Sequence, residues 1–270
     1  MKPSVVTSTA NPLCREIIAL RQRKHRRRME RFVLEGVHGV VNATEAGCFP
    51  EKVMVSDGFA ATEEGRRMLD RLMTLKKLDI VQVPDPLMAR LSDTETPQGL
   101  LGVFPLPSYS LEKELQNPEG LWLVLDRIQD AGNLGTLIRS AEAAGARGII
   151  LTHGTADPFS GKALRAATGA QMYLPVVELT GEDDPGWLLK SQGLTLVAAA
   201  LEKPEAHLPD PLPSAVALII GNESNGIDPS LLDQADVCLT IPMRGRIQSL
   251  NAAVAGSVLL FHLAALRDRP

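Results

Sequence analysis

The sequence predicts an α/β protein: a parallel sheet in the C-terminal half, preceded by a small α/β domain. Three observations carry this. From residue 121 onward, apolar runs of strand length recur: "LWLVLD", "GIILT", "YLPVVEL", "TLVAAAL", "AVALIIG" and "VCLTIPM", with helical stretches between most of them. Strands that are apolar on both faces belong to a parallel sheet covered by helices. Before residue 104, shorter strand and helix candidates alternate. Between the two, "FPLPSYSLEKELQNPEG" has three prolines and no clear period, and reads as a linker. The expected division is residues 1–104, a linker at 105–119, and a larger domain at 120–270.

The N-terminal part opens on charge. The chain has a net charge of −4, yet residues 1–31 hold nine Lys/Arg and two Glu, a net of +7. The centre is "RQRKHRRRMER", predicted as a helix that is basic nearly all round, with Ile17, Ile18 and Leu20 as its buried end. Arg23, Lys24, Arg26, Arg27 and Arg28 are the candidate contacts to nucleic-acid phosphates. The plainer reading is a solvated face. "RFVLEG" is a strand, "VHGVVNATEAG" a helix ending at Gly47, "EKVMVSD" a strand, residues 61–77 an amphipathic helix, and "LDIVQVP" a strand.

Composition narrows the classes. No run of about 18 apolar residues exists, so no membrane span is expected, and the N-terminus lacks the apolar core of a secretory signal. Cys14, Cys48 and Cys238 are odd in number and far apart, which points to free thiols in a cytoplasmic protein. The five histidines are scattered without zinc spacing, so no metal is expected.

In the larger domain, the last element, "SLNAAVAGSVLLFHLAAL", reads as a helix. Ser249 is its candidate N-cap, and Val254, Val258, Phe261 and Ala265 are its expected core face. Open parallel sheets bind ligands beyond the carboxyl ends of their strands. The turn "DAGNLG" after the first strand has too few glycines for a dinucleotide site, and the next strand ends in "LTHG" without the acid that would hold a ribose. "ADPFSGKA" fails as a phosphate loop because Ala156 and Ala163 stand where glycine and a hydroxyl are required. Three polar turns remain: Asn133 and Arg139, then "GNESNGI" with Glu223, then "IPMRGRIQSLN" with Ser249 and Asn251. Taken singly, each has a plainer role: Asn133 as a helix cap, Arg139 as a surface partner of Glu142, "NESNG" as a simple turn.

Together, "NLGTLIRSAEAAGA", "LIIGNESNGI" and "IPMRGRIQSLNAAVA" resemble the three ordered motifs of the SpoU/TrmH branch of the SPOUT RNA methyltransferases. "RFVLEGVHGVVNATEAG" and "TPQGLLGVF" more loosely resemble that family's ribosomal-protein-like RNA-binding domain. The resemblance implies a trefoil-knotted catalytic domain and a homodimer that transfers methyl from S-adenosylmethionine to a ribose 2′-hydroxyl of RNA. Ribosomal RNA is the expected substrate. The alternatives are transfer RNA, or a non-catalytic RNA-binding protein on the same scaffold. Carried over residue by residue, it implies catalytic roles for Asn133, Arg139, Glu223, Ser249 and Asn251, and cofactor contacts at Gly221, Ile241, Met243 and Leu250. Ala252 and Ala167 depart from the family's usual Val and Ser.

Overall fold

Strands in the first part of the chain alternate their apolar side chains between two cores, as a period of two requires. The computed structural model describes residues 4–75, 78–181, 184–200, 208–247 and 249–267. These gather into two compact units, one within Met1–Pro107 and Phe159–Met172, the other within Ser108–Pro158 and Tyr173–Pro270.

The first unit runs β1 (Ser4–Val5), α1 (Pro12–Ala19), α2 (Arg23–Met29), β2 (Arg31–Glu35), α3 (Val37–Glu45), β3 (Lys52–Ser56), α4 (Asp57–Ala61), α5 (Glu63–Met73), β4 (Asp79–Val83), α6 (Asp85–Leu91) and β5 (Leu100–Pro105). Its sheet has the order β1-β4-β3-β5-β2. β4 is parallel to β1 and β3, and β5 is antiparallel to β3 and β2. Phe32, Leu34, Val53, Val55, Leu100 and Phe104 face α3 and α5, while Met54, Val81, Val83, Leu101 and Val103 face α1 and α6.

The predicted single basic helix is two. α1 starts at Asn11, whose side chain accepts from Leu13 N at 2.9 Å, and ends before the polar turn at Arg21–Gln22. Arg26 enforces the break. It is only 4% exposed, and its Nη1 donates to the carbonyls of Leu20 (2.6 Å) and Arg21 (2.8 Å), capping the end of α1. Leu13, Cys14, Ile17 and Leu20 are buried as the apolar face, but Ile18 points outward.

The second unit contains α7 (Leu111–Glu114), β6 (Gly120–Leu125), α8 (Ala131–Ala143) and β7 (Gly148–Leu151). The chain then lends α9 (Gly161–Ala167) to the first unit. It returns with β8 (Val176–Glu178), α10 (Pro185–Ser191), β9 (Thr195–Ala199), β10 (Ala215–Ile220), α11 (Pro229–Asp233), β11 (Val237–Leu239) and α12 (Ala252–Arg267). The six strands are parallel throughout, in the order β11-β9-β10-β6-β7-β8. One face packs on α10 and α11 around Trp122, Val124, Leu196 and Ile219; α8 and α12 cover the other.

Three expectations are corrected here. α12 buries Ala253, Gly256, Leu259, Leu260 and Leu263, whereas Val254 (48% exposed), Val258 (48%), Phe261 (50%) and Ala265 face outward. The helix is apolar nearly all round, so periodicity admits more than one stripe. Close approach to α8 chooses the one containing Gly256, where an added Cβ would lie 2.4 Å from Leu137 Cδ2. Second, Asn251 rather than Ser249 caps α12, its Oδ1 accepting from Ala253 N (2.9 Å) and Val254 N (3.3 Å). Third, the span 120–270 is not one body. Phe159, Leu164 and Met172 join the core of the first unit, with the Phe159 ring 5.1 Å from that of Phe32. Arg165 pairs with Asp93 at 3.3 Å, and Asn42 Nδ2 donates to Thr168 O at 2.7 Å. Within the expected linker, Leu115 is 2% exposed and belongs to the core of the second unit.

Candidate functional site

The site is set by strand order. β6 and β10 are neighbours in register, from Ala215 opposite Gly120 to Ile220 opposite Leu125, so the turns that follow them emerge side by side. After β6, Asp130 caps α8, its side chain accepting from Asn133 N at 2.9 Å. That frees the Asn133 side chain from capping. Its Nδ2 donates to Glu223 Oε1 at 2.8 Å, and its Oδ1 accepts from Asn251 Nδ2 at 3.1 Å. One side chain therefore joins all three polar turns, across sequence separations of 90 and 118 residues. Glu223 and Asn251 are each committed to Asn133, which leaves the three side chains in a defined arrangement.

Beside this junction lies a cavity of about 670 Å³ at the carboxyl ends of β9, β10 and β11. That is within the range of about 300–1,000 Å³ usual for small-molecule sites. Gly221, Ile241, Met243 and Leu250, the four residues expected at a cofactor, all line it. So do Glu223, Ser249 and Asn251. Apolar walls come from Ile220, Leu239, Ala255 and Leu259, and polar edges from the 221–226 turn. Gly221 admits no side chain, because an added Cβ would lie 2.3 Å from Gly226 C and Ile227 N. Asn133 and Arg139 do not line the cavity. Arg139 is exposed on α8, and its guanidinium makes no hydrogen bond or ion pair with any described residue; the pair with Glu142 does not form. Arg244 and Arg246 are exposed on the segment between the lining residues Met243 and Ser249. Among the described residues, no group of His, Cys, Asp or Glu has the makings of a metal site.

Of the basic cluster, Arg23, Lys24, Arg27 and Arg28 are exposed on α2, and Arg28 Nη2 lies 2.9 Å from His25 Nδ1. Arg26 does not belong with them, since it is buried and its Nη1 is turned to the end of α1.

Four residues that pattern reading passed over stand behind the junction: Asp126, Arg127, Asn222 and Asp228. Asp126 is buried at the tip of β6 and accepts from Thr152 Oγ1 (2.8 Å), Asp228 N (2.7 Å) and Arg127 Nη2 (3.2 Å). Arg127 Nη1 also pairs with Asp228 Oδ2 at 3.1 Å. Asn222 Oδ1 accepts from Ser224 N (2.9 Å) and Asn225 N (3.0 Å), shaping the turn that carries Glu223. The Asp228 carboxyl is held below the usual carboxylate range, first by the Ser230 hydroxyl and amide, then by Arg127. One signal was visible in the sequence: an acid closing the wholly apolar run "LWLVLD" must find partners once buried.

Residues 120–261, more than half of the chain, match the SpoU rRNA Methylase family. The chain belongs to that family. Residues 11–102 match the MRM3-like substrate binding domain. Among this SpoU family member's relatives, the 23S rRNA (guanosine(2553)-2′-O)-methyltransferase RlmP of Bacillus subtilis is 33% identical over 96% of this chain and 98% of its own. The 23S rRNA (uridine(2479)-2′-O)-methyltransferase of Streptomyces viridochromogenes is 30% identical over 93% of this chain and 87% of its own. The crystal structure of an AdoMet-bound rRNA methyltransferase from Sinorhizobium meliloti superposes with a TM-score of 0.83 at 31% identity, covering 97% of both chains.

Proposed function

We propose that this SpoU family member transfers the methyl group of S-adenosylmethionine to a ribose 2′-hydroxyl of ribosomal RNA. The observation that carries this is the Asn133 bridge: it assembles Glu223 and Asn251 from distant turns at the lip of a cavity sized for a nucleoside-like ligand. Relatives whose names specify ribose 2′-O methylation of 23S rRNA support both the reaction and the substrate.

Ile241, Met243, Leu250 and the backbone at Gly221 hold the adenosine part by apolar contact and by polar groups of the turns. Bound there, S-adenosylmethionine supplies a methyl group already activated by its sulfonium. The protein must bring the ribose oxygen in line with it, and orientation supplies much of the rate. Arg139 acts as a planar cationic hydrogen-bond donor rather than as a base. It binds the adjacent phosphate and stabilises negative charge growing on the 2′-oxygen. Asn133, Glu223, Ser249 and Asn251 position the ribose and the arginine. Arg244 and Arg246 at the cavity edge, and Arg23, Lys24, Arg27 and Arg28 on α2, contact RNA phosphates.

Three further parts belong to the same reading. A trefoil knot in the second unit, in which α12 packs on α8, β6 and β10, is part of what the family reading implies. The outward stripe Val254, Val258 and Phe261 is the face of a homodimer, since so much apolar surface on one helix is otherwise left in water. The RNA substrate and three free cysteines support the cytoplasm as its place of work.

The test is methyl transfer from tritiated S-adenosylmethionine to ribosomal and transfer RNA, followed by mapping of 2′-O-methyl sites. Label confined to ribosomal RNA is the expected result. Label on transfer RNA alone would replace the substrate, and cofactor binding without transfer to either RNA would replace the activity with RNA binding.

A further inference from the structure

Arg127 does not occupy an ordinary position. Its backbone is left-handed, with φ +55°, a region that disfavours side chains other than glycine, asparagine and aspartate. Its Nε is buried without a hydrogen-bond partner. Both features cost stability, so surrounding contacts must hold the residue in place. They come from three strand ends. The Arg127 amide donates to Thr152 Oγ1 after β7 (3.1 Å), and its carbonyl accepts from Asn222 Nδ2 after β10 (2.9 Å). Its guanidinium spans Asp126 at the end of β6 (3.2 Å) and Asp228 at the end of the 221–228 turn (3.1 Å). Asp126 closes the figure by accepting from Asp228 N (2.7 Å).

The 221–228 turn is thus pinned at both ends. Asn222 ties one end to the Arg127 carbonyl, and Asp228 ties the other to Asp126 and the guanidinium. Glu223, one residue past the first tie, reaches out to Asn133. We propose that Arg127 is a positioning residue for methyl transfer, acting through the 221–228 turn to hold Glu223 against Asn133. The proposal rests on the reading that Glu223 takes part in the transfer. A planar fork suits this role: one guanidinium bridges two carboxylates on separate turns, and a lysine ammonium cannot reproduce both contacts in fixed geometry.

The test is a double-mutant cycle in the full-length protein, read as single-turnover methyl transfer at saturating cofactor and RNA. Arg127→Gly removes the fork while relieving the left-handed backbone; because it also leaves the buried Asp126 carboxylate without its cation, the thermal midpoint should fall, and rates are compared at a temperature where every variant is folded. The single-turnover rate should fall roughly tenfold to a hundredfold, as loss of alignment does. In a Glu223→Gln background the same change should cost less than about threefold, because residues acting through one another are non-additive. Asp228→Asn opens the clamp from its other side and should repeat the pattern, which covers the case in which Arg127→Gly does not fold. Arg127→Lys should recover only part of the rate. Multiplying losses in the cycle, or parent rates in both clamp variants with a slow Glu223→Gln, would overturn the proposal alone. A fully active Glu223→Gln would overturn the reading beneath it as well.

Discussion

Arg139 is the residue on which the proposed chemistry turns, and its isolation is informative. An exposed arginine without a partner among the described residues is available to a phosphate or a ribose oxygen. Because it lies outside the cavity lining, Arg139→Ala should leave S-adenosylmethionine affinity nearly intact, as measured by calorimetric titration. Single-turnover transfer should drop by about 10²–10³, the usual cost of removing a charge-stabilising donor. Arg139→Lys should also be slow, for want of the planar fork. A second prediction concerns acid. Asp228 and Asp184 both have depressed carboxyl pKa values, the latter chiefly through the Gln234 side-chain amide and the Trp187 N–H. Such groups contribute stability that is complete above the unfolded value, about 3.9, and lost as pH falls through the lower folded one. The thermal midpoint should therefore hold steady down to about pH 5 and fall below about pH 4. Asp228→Asn should flatten that fall, and an unchanged acid limb would show that Asp228 does not contribute to it.

At the scale of elements, α2 shows that a run of like charges need not act as one. Arg26→Ala should lower the thermal midpoint by removing two charge-assisted bonds to the end of α1, at a cost of about 2–3 kcal/mol. Replacing Arg23, Lys24, Arg27 and Arg28 together should instead weaken RNA binding and flatten its dependence on salt. Filter binding across a salt series separates the two sets; an identical slope after the fourfold change would make the face a solvated one. α12 supplies the counterpart in apolar residues. Val258→Asp places a charge on its outward stripe, so the protein should sediment as a monomer with an unchanged far-UV spectrum. A persistent dimer would move the interface elsewhere.

At the scale of the whole molecule, chain order and spatial order diverge. Among the described residues, the cavity lining lies between Ala199 and Leu259, within the second unit. Yet residues 159–172 lie within that unit's stretch of chain and fold into the other. A fragment beginning at residue 118 would lose Leu115, which costs about 2–5 kcal/mol for a buried leucine, and would leave Phe159, Leu164 and Met172 without their core. A fragment of residues 108–270 should melt higher than one of 118–270, and once folded it should bind S-adenosylmethionine. Equal midpoints would mean that Leu115 contributes nothing to that core.

The sequence by itself determined the strands, because runs such as "AVALIIG" are apolar on both faces and can only be buried. It also determined the order of the three polar turns, since each follows an apolar strand run that ends in a polar or turn-forming residue: Asp126, then Gly221 and Asn222, then Pro242. Tertiary structure decided what distance along the chain conceals: that β6 and β10 are neighbours, so Asn133 meets Glu223. It decided which stripe of α12 is buried, because backbone approach at Gly256 is a property of two helices and not of one. It decided that Arg26 turns inward while Arg27 and Arg28 do not, because the unpaired carbonyls that Arg26 serves exist only once α1 has ended. Periodicity reports which residues avoid water. Which buried groups complete one another depends on strand order and helix contact, and these are settled by the chain as a whole.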